Sequence, residues 1–113
     1  MAYRSSDGGR TWSEPTSPND PDAMAAYWCH PRQLSEGTIV LPAYGTFEKD
    51  NPSPQTDAWL WLSEDGGRTW SEPLLLARGI EARTTDEPEV AELANGDLWI
   101  HATFFRLAPP APT

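Results

Sequence analysis

Ser5-Ser6-Asp7-Gly8-Gly9-Arg10-Thr11-Trp12-Ser13-Glu14-Pro15 returns 58 residues later as Ser63-Glu64-Asp65-Gly66-Gly67-Arg68-Thr69-Trp70-Ser71-Glu72-Pro73, with ten of eleven positions identical. A second pair of segments keeps nearly the same spacing: Leu34-Ser35-Glu36-Gly37-Thr38-Ile39-Val40-Leu41 aligns with Leu93-Ala94-Asn95-Gly96-Asp97-Leu98-Trp99-Ile100 at an offset of 59. Two unrelated stretches recurring at one spacing mean that a single structural unit is repeated.

The composition around these repeats is that of a turn-rich β protein. Twelve Pro and eight Gly among 113 residues leave little room for long helices, while six Trp, three Tyr and three Phe supply bulky packing groups. The chain is long enough for one small domain and not two. Its net charge of −9 argues against nucleic acid or an anionic membrane surface as partner, since both would be repelled. Apolar runs such as Leu74-Leu75-Leu76-Ala77 are far too short to span a bilayer. The opening Met-Ala-Tyr-Arg-Ser-Ser has no basic stretch followed by an apolar segment, so no signal peptide is expected in it. A single cysteine, Cys29, allows no internal disulfide and no Cys-rich metal site, and reads as a small hydrophobe. His30 and His101 have no second ligand at metal spacing, and Asp20, Asp22, Asp50 and Asp57 fall in irregular segments without EF-hand spacing. No metal and no cofactor is expected.

Strands can be placed between the turn signals. Trp59-Leu60-Trp61-Leu62 runs into Asp65-Gly66-Gly67, and Pro73 to Ala77 runs away from it. Residues 88–93 lead into Asn95-Gly96, a two-residue hairpin signal because both residues tolerate positive φ, and Leu98 to Phe105 returns. Arg32-Gln33-Leu34 and Ile39-Val40-Leu41 form the equivalent hairpin around Glu36-Gly37. Continuous apolar stretches such as Thr38 to Leu41 suit strands buried on both faces. Residues 14–23 and 48–56 read as irregular connections, and the Pro-rich tail 107–113 as disordered. A unit of this length, slightly longer than the usual propeller-blade repeat, is read as a blade, a four-stranded antiparallel sheet. The expected fold is all-β, a partial β-propeller of about two blades: the end of one blade over 1–22, a full blade over 23–80 and the start of the next over 81–106. Two blades close no ring, so a piece of a longer propeller is expected, with exposed blade edges prone to self-association.

The repeated motif resembles the Asp box, or BNR repeat, of the sialidase (neuraminidase) superfamily, whose propellers have six blades. The pattern Ser-x-Asp-x-Gly-x-Thr-Trp is met at Ser5, Asp7, Gly9, Thr11 and Trp12, and again at Ser63, Asp65, Gly67, Thr69 and Trp70. Its physical logic is a hairpin turn: Asp accepts backbone N–H groups inside the loop, Gly permits the left-handed conformation, and Trp packs into the blade. The resemblance implies a structural role remote from the active site, with Arg10 and Arg68 as solvent-facing turn residues.

The likeness extends along the chain. Leu41-Pro42-Ala43-Tyr44 looks like the Val-Pro-Ala-Tyr segment of animal cytosolic sialidases, and Cys29-His30 and Gln33-Leu34 resemble the stretch before it. Glu87-Pro88-Glu89-Val90-Ala91-Glu92-Leu93 with Gly96 resembles the segment that carries the catalytic glutamate. The family performs retaining glycoside hydrolysis with a tyrosine nucleophile, a glutamate that takes its proton, an aspartate acid/base and three arginines on the sialic-acid carboxylate. By position, the resemblance puts Glu87 on the tyrosine-activating glutamate; its other reading is a strand-end carboxylate. Glu89 and Glu92 read as the solvated side of a strand. Tyr44 either lines the substrate pocket or is a half-buried strand tyrosine. The second carboxylate-binding arginine falls on Thr103, which cannot offer a bidentate charged fork. Arg106, three residues on, substitutes only if its strand bulges or ends early.

The resemblance therefore implies a fragment of an exo-α-sialidase-like glycoside hydrolase, inactive alone, with a sialylated glycan or other carbohydrate as partner. Two other classes stay open: a non-catalytic Asp-box propeller binding a glycan or a protein, and a structural fragment without activity of its own.

Overall fold

The computed structural model describes residues 1–18, 25–46, 56–78 and 83–106. Seven strands are formed: β1 (Ala25–Trp28), β2 (Arg32–Gln33), β3 (Ile39–Thr46), β4 (Asp57–Ser63), β5 (Leu74–Ala77), β6 (Arg83–Glu92) and β7 (Leu98–Arg106). The fold is all-β and antiparallel, with no helix among the described residues. The tail 107–113, and the expected connections over 19–23 and 48–55, lie outside the described residues.

One sheet has the order β1-β3-β4-β5, with β2 also paired to β3; β6 and β7 form a second sheet. β1 and β2 share one edge of β3, since Trp28 is opposite Ala43 while Arg32 is opposite Val40. Pro31 interrupts them because it has no N–H to donate to the ladder, and the Cys29 amide bridges the gap to the Pro42 carbonyl at 2.9 Å. β3 and β4 pair without a break from Ile39–Ser63 to Gly45–Asp57. Asp57 is therefore the first residue of a strand, not part of an irregular segment, and ion-pairs with Arg78 at 3.7 Å.

The central sheet is buried on both faces, as its continuous apolar strands require. Leu41, Ala43, Trp59 and Trp61 form a cluster on one face, joined by Trp28 and Trp70. Trp59 and Trp61 meet edge to face at 5.6 Å between ring centroids, and Trp28 meets Trp61 likewise at 6.2 Å. Val40 and Leu60 occupy the opposite face with Val90 from β6, where Leu34, Leu62 and Ile100 complete the layer. The second sheet thus stacks on the first through β6.

Both hairpins exist, but their turns are not of the two-residue type expected at Asn95-Gly96. The Leu93 amide donates to the Asp97 carbonyl and the Gly96 amide to the Leu93 carbonyl. Gly96 alone has positive φ, at 92°. This is a three-residue loop ending in a left-handed glycine, which needs only one such residue. The Leu34–Thr38 loop repeats the same two bonds, with Gly37 at 105°.

Candidate functional site

The two Asp boxes are hydrogen-bonded in the same way. Asp7 Oδ1 accepts from the amides of Arg10 at 3.0 Å and Thr11 at 2.9 Å, and the Thr11 hydroxyl donates to Oδ2. Asp65 Oδ1 accepts from Arg68 at 3.0 Å and Thr69 at 2.8 Å, with the Thr69 hydroxyl on Oδ2. Ser5 and Ser63 each donate to the aspartate and accept from the glycine amide, Gly9 or Gly67. These donors favour the charged carboxylate. They lower Asp7 to about 2, led by the Thr11 hydroxyl, and push Asp65 further down, led by that of Thr69. Both carboxylates are engaged by the bonds of their own turns.

The tryptophans differ between the boxes. Trp12 Nε1 donates to the Gly9 carbonyl at 3.1 Å, whereas the Gly67 carbonyl accepts instead from the Thr16 hydroxyl at 2.8 Å. Trp70 packs on the central cluster with its buried Nε1 unbonded.

Glu87 stands apart from every other non-glycine residue described: its φ is +54°. Asp86 is opposite Thr103 and Glu89 opposite His101, so Glu87 and Pro88 together face the single residue Ala102. This is a β-bulge, and Pro88, which cannot donate to the ladder, is buried beneath it. A non-glycine residue in the left-handed region costs on the order of 1–3 kcal/mol and persists only where its surroundings impose it. The bulge leaves Glu87 exposed. Pro88 was the signal for this feature in the sequence, because proline inside a strand reports an edge or a bulge.

The contacts around Glu87 place it relative to the first sheet. The Thr56 hydroxyl donates to Asp86 just before β4, and His30 Nδ1 lies 3.0 Å from Glu89 Oε1. Glu92 accepts from the hydroxyl of Ser35 and from its amide at 2.7 Å, and these two donors, the hydroxyl foremost, lower its pKa. Glu89, half-buried, and Glu92, exposed, are thus fasteners between the two sheets. Alternation along β3 sets Tyr44, half-buried, on the Val40 face toward which β6 packs. Tyr44 lies between Pro42, which anchors the residue before His30, and Gly45, which pairs with the residue after Thr56. Glu87 and Tyr44 therefore occupy the same level of neighbouring sheets.

Arg106 is less favourably set. The extra residue of the bulge belongs to β6, and β7 keeps an uninterrupted register from Thr103 through Arg106, which pairs with Arg83. The strand neither bulges nor ends early, the conditions under which Arg106 could replace Thr103. Burial, followed by the charges of Glu89 and Glu87, raises the Cys29 thiol to about 11, so it is no nucleophile at neutral pH. Among the described residues no group of three or more His, Cys, Asp and Glu could hold a metal ion.

Asp-box hairpins repeated on stacked antiparallel sheets define a class of β-repeat protein. The chain belongs to the BNR repeat-like domain family, whose pattern matches residues 1–104. This membership fits the sialidase-like superfamily. No solved structure matches the chain.

Proposed function

We propose that these residues form part of a sialidase-like glycoside hydrolase whose complete site removes terminal sialic acids with retention. The supporting observation is Glu87, an exposed carboxylate held at φ +54° in a bulge, where backbone strain fixes the direction of a side chain. In this reading Glu87 takes the proton of the tyrosine nucleophile, and Tyr44, level with it on the adjoining sheet, lines the sugar pocket. The aspartate acid, the nucleophile and the arginine clamp are supplied from outside the positions matched here. A fluorogenic sialoside assay on the polypeptide as it occurs in the cell tests this. Glu87→Gln, which keeps shape and removes basicity, should lower kcat by roughly 100-fold or more. Unchanged kcat in that variant would sink the assignment.

One observation favours a second reading. Thr103 stands where the arginine is expected, and its cross-strand neighbour is Asp86. A negative charge there opposes a sugar carboxylate, as does the net charge of −9. In this reading the same face binds a neutral glycan or a protein without turnover. Binding of a neutral glycan that is indifferent to Glu87→Gln, with no sialoside hydrolysis, would select it.

A further inference from the structure

The bulge at Glu87 has a counterpart in the central sheet. Between the Trp28–Ala43 and Arg32–Val40 pairs, the β1–β2 edge carries Cys29, His30 and Pro31 against only Leu41 and Pro42 on β3. Carried across the offset of 59, Trp28 falls on Glu87, Ala43 on Ala102 and Arg32 on Ala91. Ala91 is paired to Trp99 as Arg32 is to Val40. Both edges therefore absorb one extra residue at the same place, but they do so differently. Trp28, Cys29 and His30 have no positive φ, whereas Glu87 stands at +54°. The register alone does not demand a left-handed residue.

Proline chemistry accounts for the difference. Across the break in the central sheet the Cys29 amide donates to the Pro42 carbonyl at 2.9 Å. Pro88 stands at the position of Cys29 and has no N–H, so β7 cannot hold the β6 bulge by the equivalent bond. The first sheet holds it instead, from both sides. The Thr56 hydroxyl donates to Asp86 just before the bulge, and His30 Nδ1 lies 3.0 Å from Glu89 Oε1 just after it. His30 and Glu89 are themselves equivalent positions, so the two breaks are tied to each other across the sheet interface. Between the two ties Pro88 is buried, which leaves the exposed Glu87 to take up the strain. A conformation of this kind persists only where its surroundings impose it, and these ties are the surroundings.

We infer that Thr56 and His30 are positioning residues for Glu87: acting through Asp86 and Glu89, they clamp both ends of the bulge to the neighbouring sheet and fix where its carboxylate stands. This role rests on the reading that Glu87 takes the proton of the tyrosine nucleophile, and it adds the residues that aim the base. Neither side chain has to touch the sugar. A general base works only within hydrogen-bond reach of the proton it takes, and a misplacement of about 1 Å can cost roughly 100-fold in rate. Fastening the bulge to a second sheet supplies that precision where the ladder bond is missing.

The test is steady-state kinetics with a fluorogenic sialoside on the polypeptide as it occurs in the cell. Thr56→Val removes one donor at nearly constant volume. His30→Ala removes the other tie at a side chain that is 85% exposed, where folding is not at stake. Each should lower kcat roughly 10-fold or more while KM stays within about twofold, and Thr56→Ser, which keeps the hydroxyl, should retain the wild-type kcat. Combined with Glu87→Gln, neither should lower kcat further, because a group that acts through Glu87 then has nothing left to position. A wild-type kcat in either Thr56→Val or His30→Ala, with Glu87→Gln impaired, would overturn the clamp and leave the role of Glu87 standing. So would a further loss in the combined variants, or an effect on KM alone. An unchanged kcat in Glu87→Gln would overturn the role of Glu87 and the clamp with it.

Discussion

The Thr16 hydroxyl donates to the carbonyl of Gly67 at 2.8 Å, tying the strand that leaves the first Asp box to the turn of the second across 51 residues of sequence. Trp12 uses the corresponding carbonyl, Gly9, for its own indole N–H. The two boxes are alike in sequence and differ in which group satisfies the glycine carbonyl, because the hairpin of residues 1–16 lies on the second.

Thr16→Val, which keeps the volume and removes the donor, should weaken that tie by about 1 kcal/mol. Hydrogen exchange should show faster exchange over residues 1–18 while β3 and β4 remain protected. Uniform acceleration across the chain would show that the tie is not local.

Asp65→Ala should lower the melting temperature more than Asp7→Ala. Ser63 is buried and Trp70 rests on the tryptophan cluster, so collapse of the second turn reaches the core, whereas Trp12 at the first turn is largely exposed. Equal thermal shifts would contradict this difference in coupling.

Acid should destabilise the fold through the same two carboxylates. In the fold both carboxyls titrate below their ordinary 3.8, Asp7 at about 2 and Asp65 lower still. Their stabilisation is complete above the unfolded pKa and is lost as pH falls through the folded values. Melting temperature should therefore drop from about pH 4 toward pH 2 and below. The Asp7→Asn/Asp65→Asn double variant should show a flatter profile over that range; an equally steep one would assign the acid transition to other groups.

Glu87→Gly should melt no lower than the wild type, since relief of the positive φ offsets the roughly 0.5–1 kcal/mol entropic cost of glycine in a strand. Glu87→Val should melt lower, because a β-branched residue tolerates that conformation least. If Glu87→Gly is the less stable of the two, the bulge is not strained.

Thr103→Arg should improve binding of a sialic-acid analogue to the cellular polypeptide only when combined with Asp86→Asn. With Asp86 in place, the cross-strand carboxylate captures the new guanidinium. An equal gain from the single variant would show that Asp86 points away from the sugar.

Much of the fold was legible because its information is local. Each Asp box spans eleven residues, and the serine and aspartate bonds that shape its turn lie within four positions, so the pattern at Ser63, Asp65, Gly67 and Thr69 carries its own geometry. The hairpin at Gly96 was visible for the same reason, although its turn was assigned one residue too short. β1 went unread: Ala25–Trp28 is a strand because β3 is beside it, and Pro31 disguises its continuation into β2.

By itself, then, the sequence determined an all-β chain of repeated hairpins, since turn chemistry and alternation act over a few residues. Tertiary structure alone decided that Tyr44 shares the level of the Glu87 bulge and that Asp86, Glu89 and Glu92 fasten one sheet to the other. Those relationships join residues 30 to 59 positions apart. They exist only after two sheets, each apolar on its inner face, have stacked and brought polar rims into contact, and no spacing along a single strand encodes that meeting.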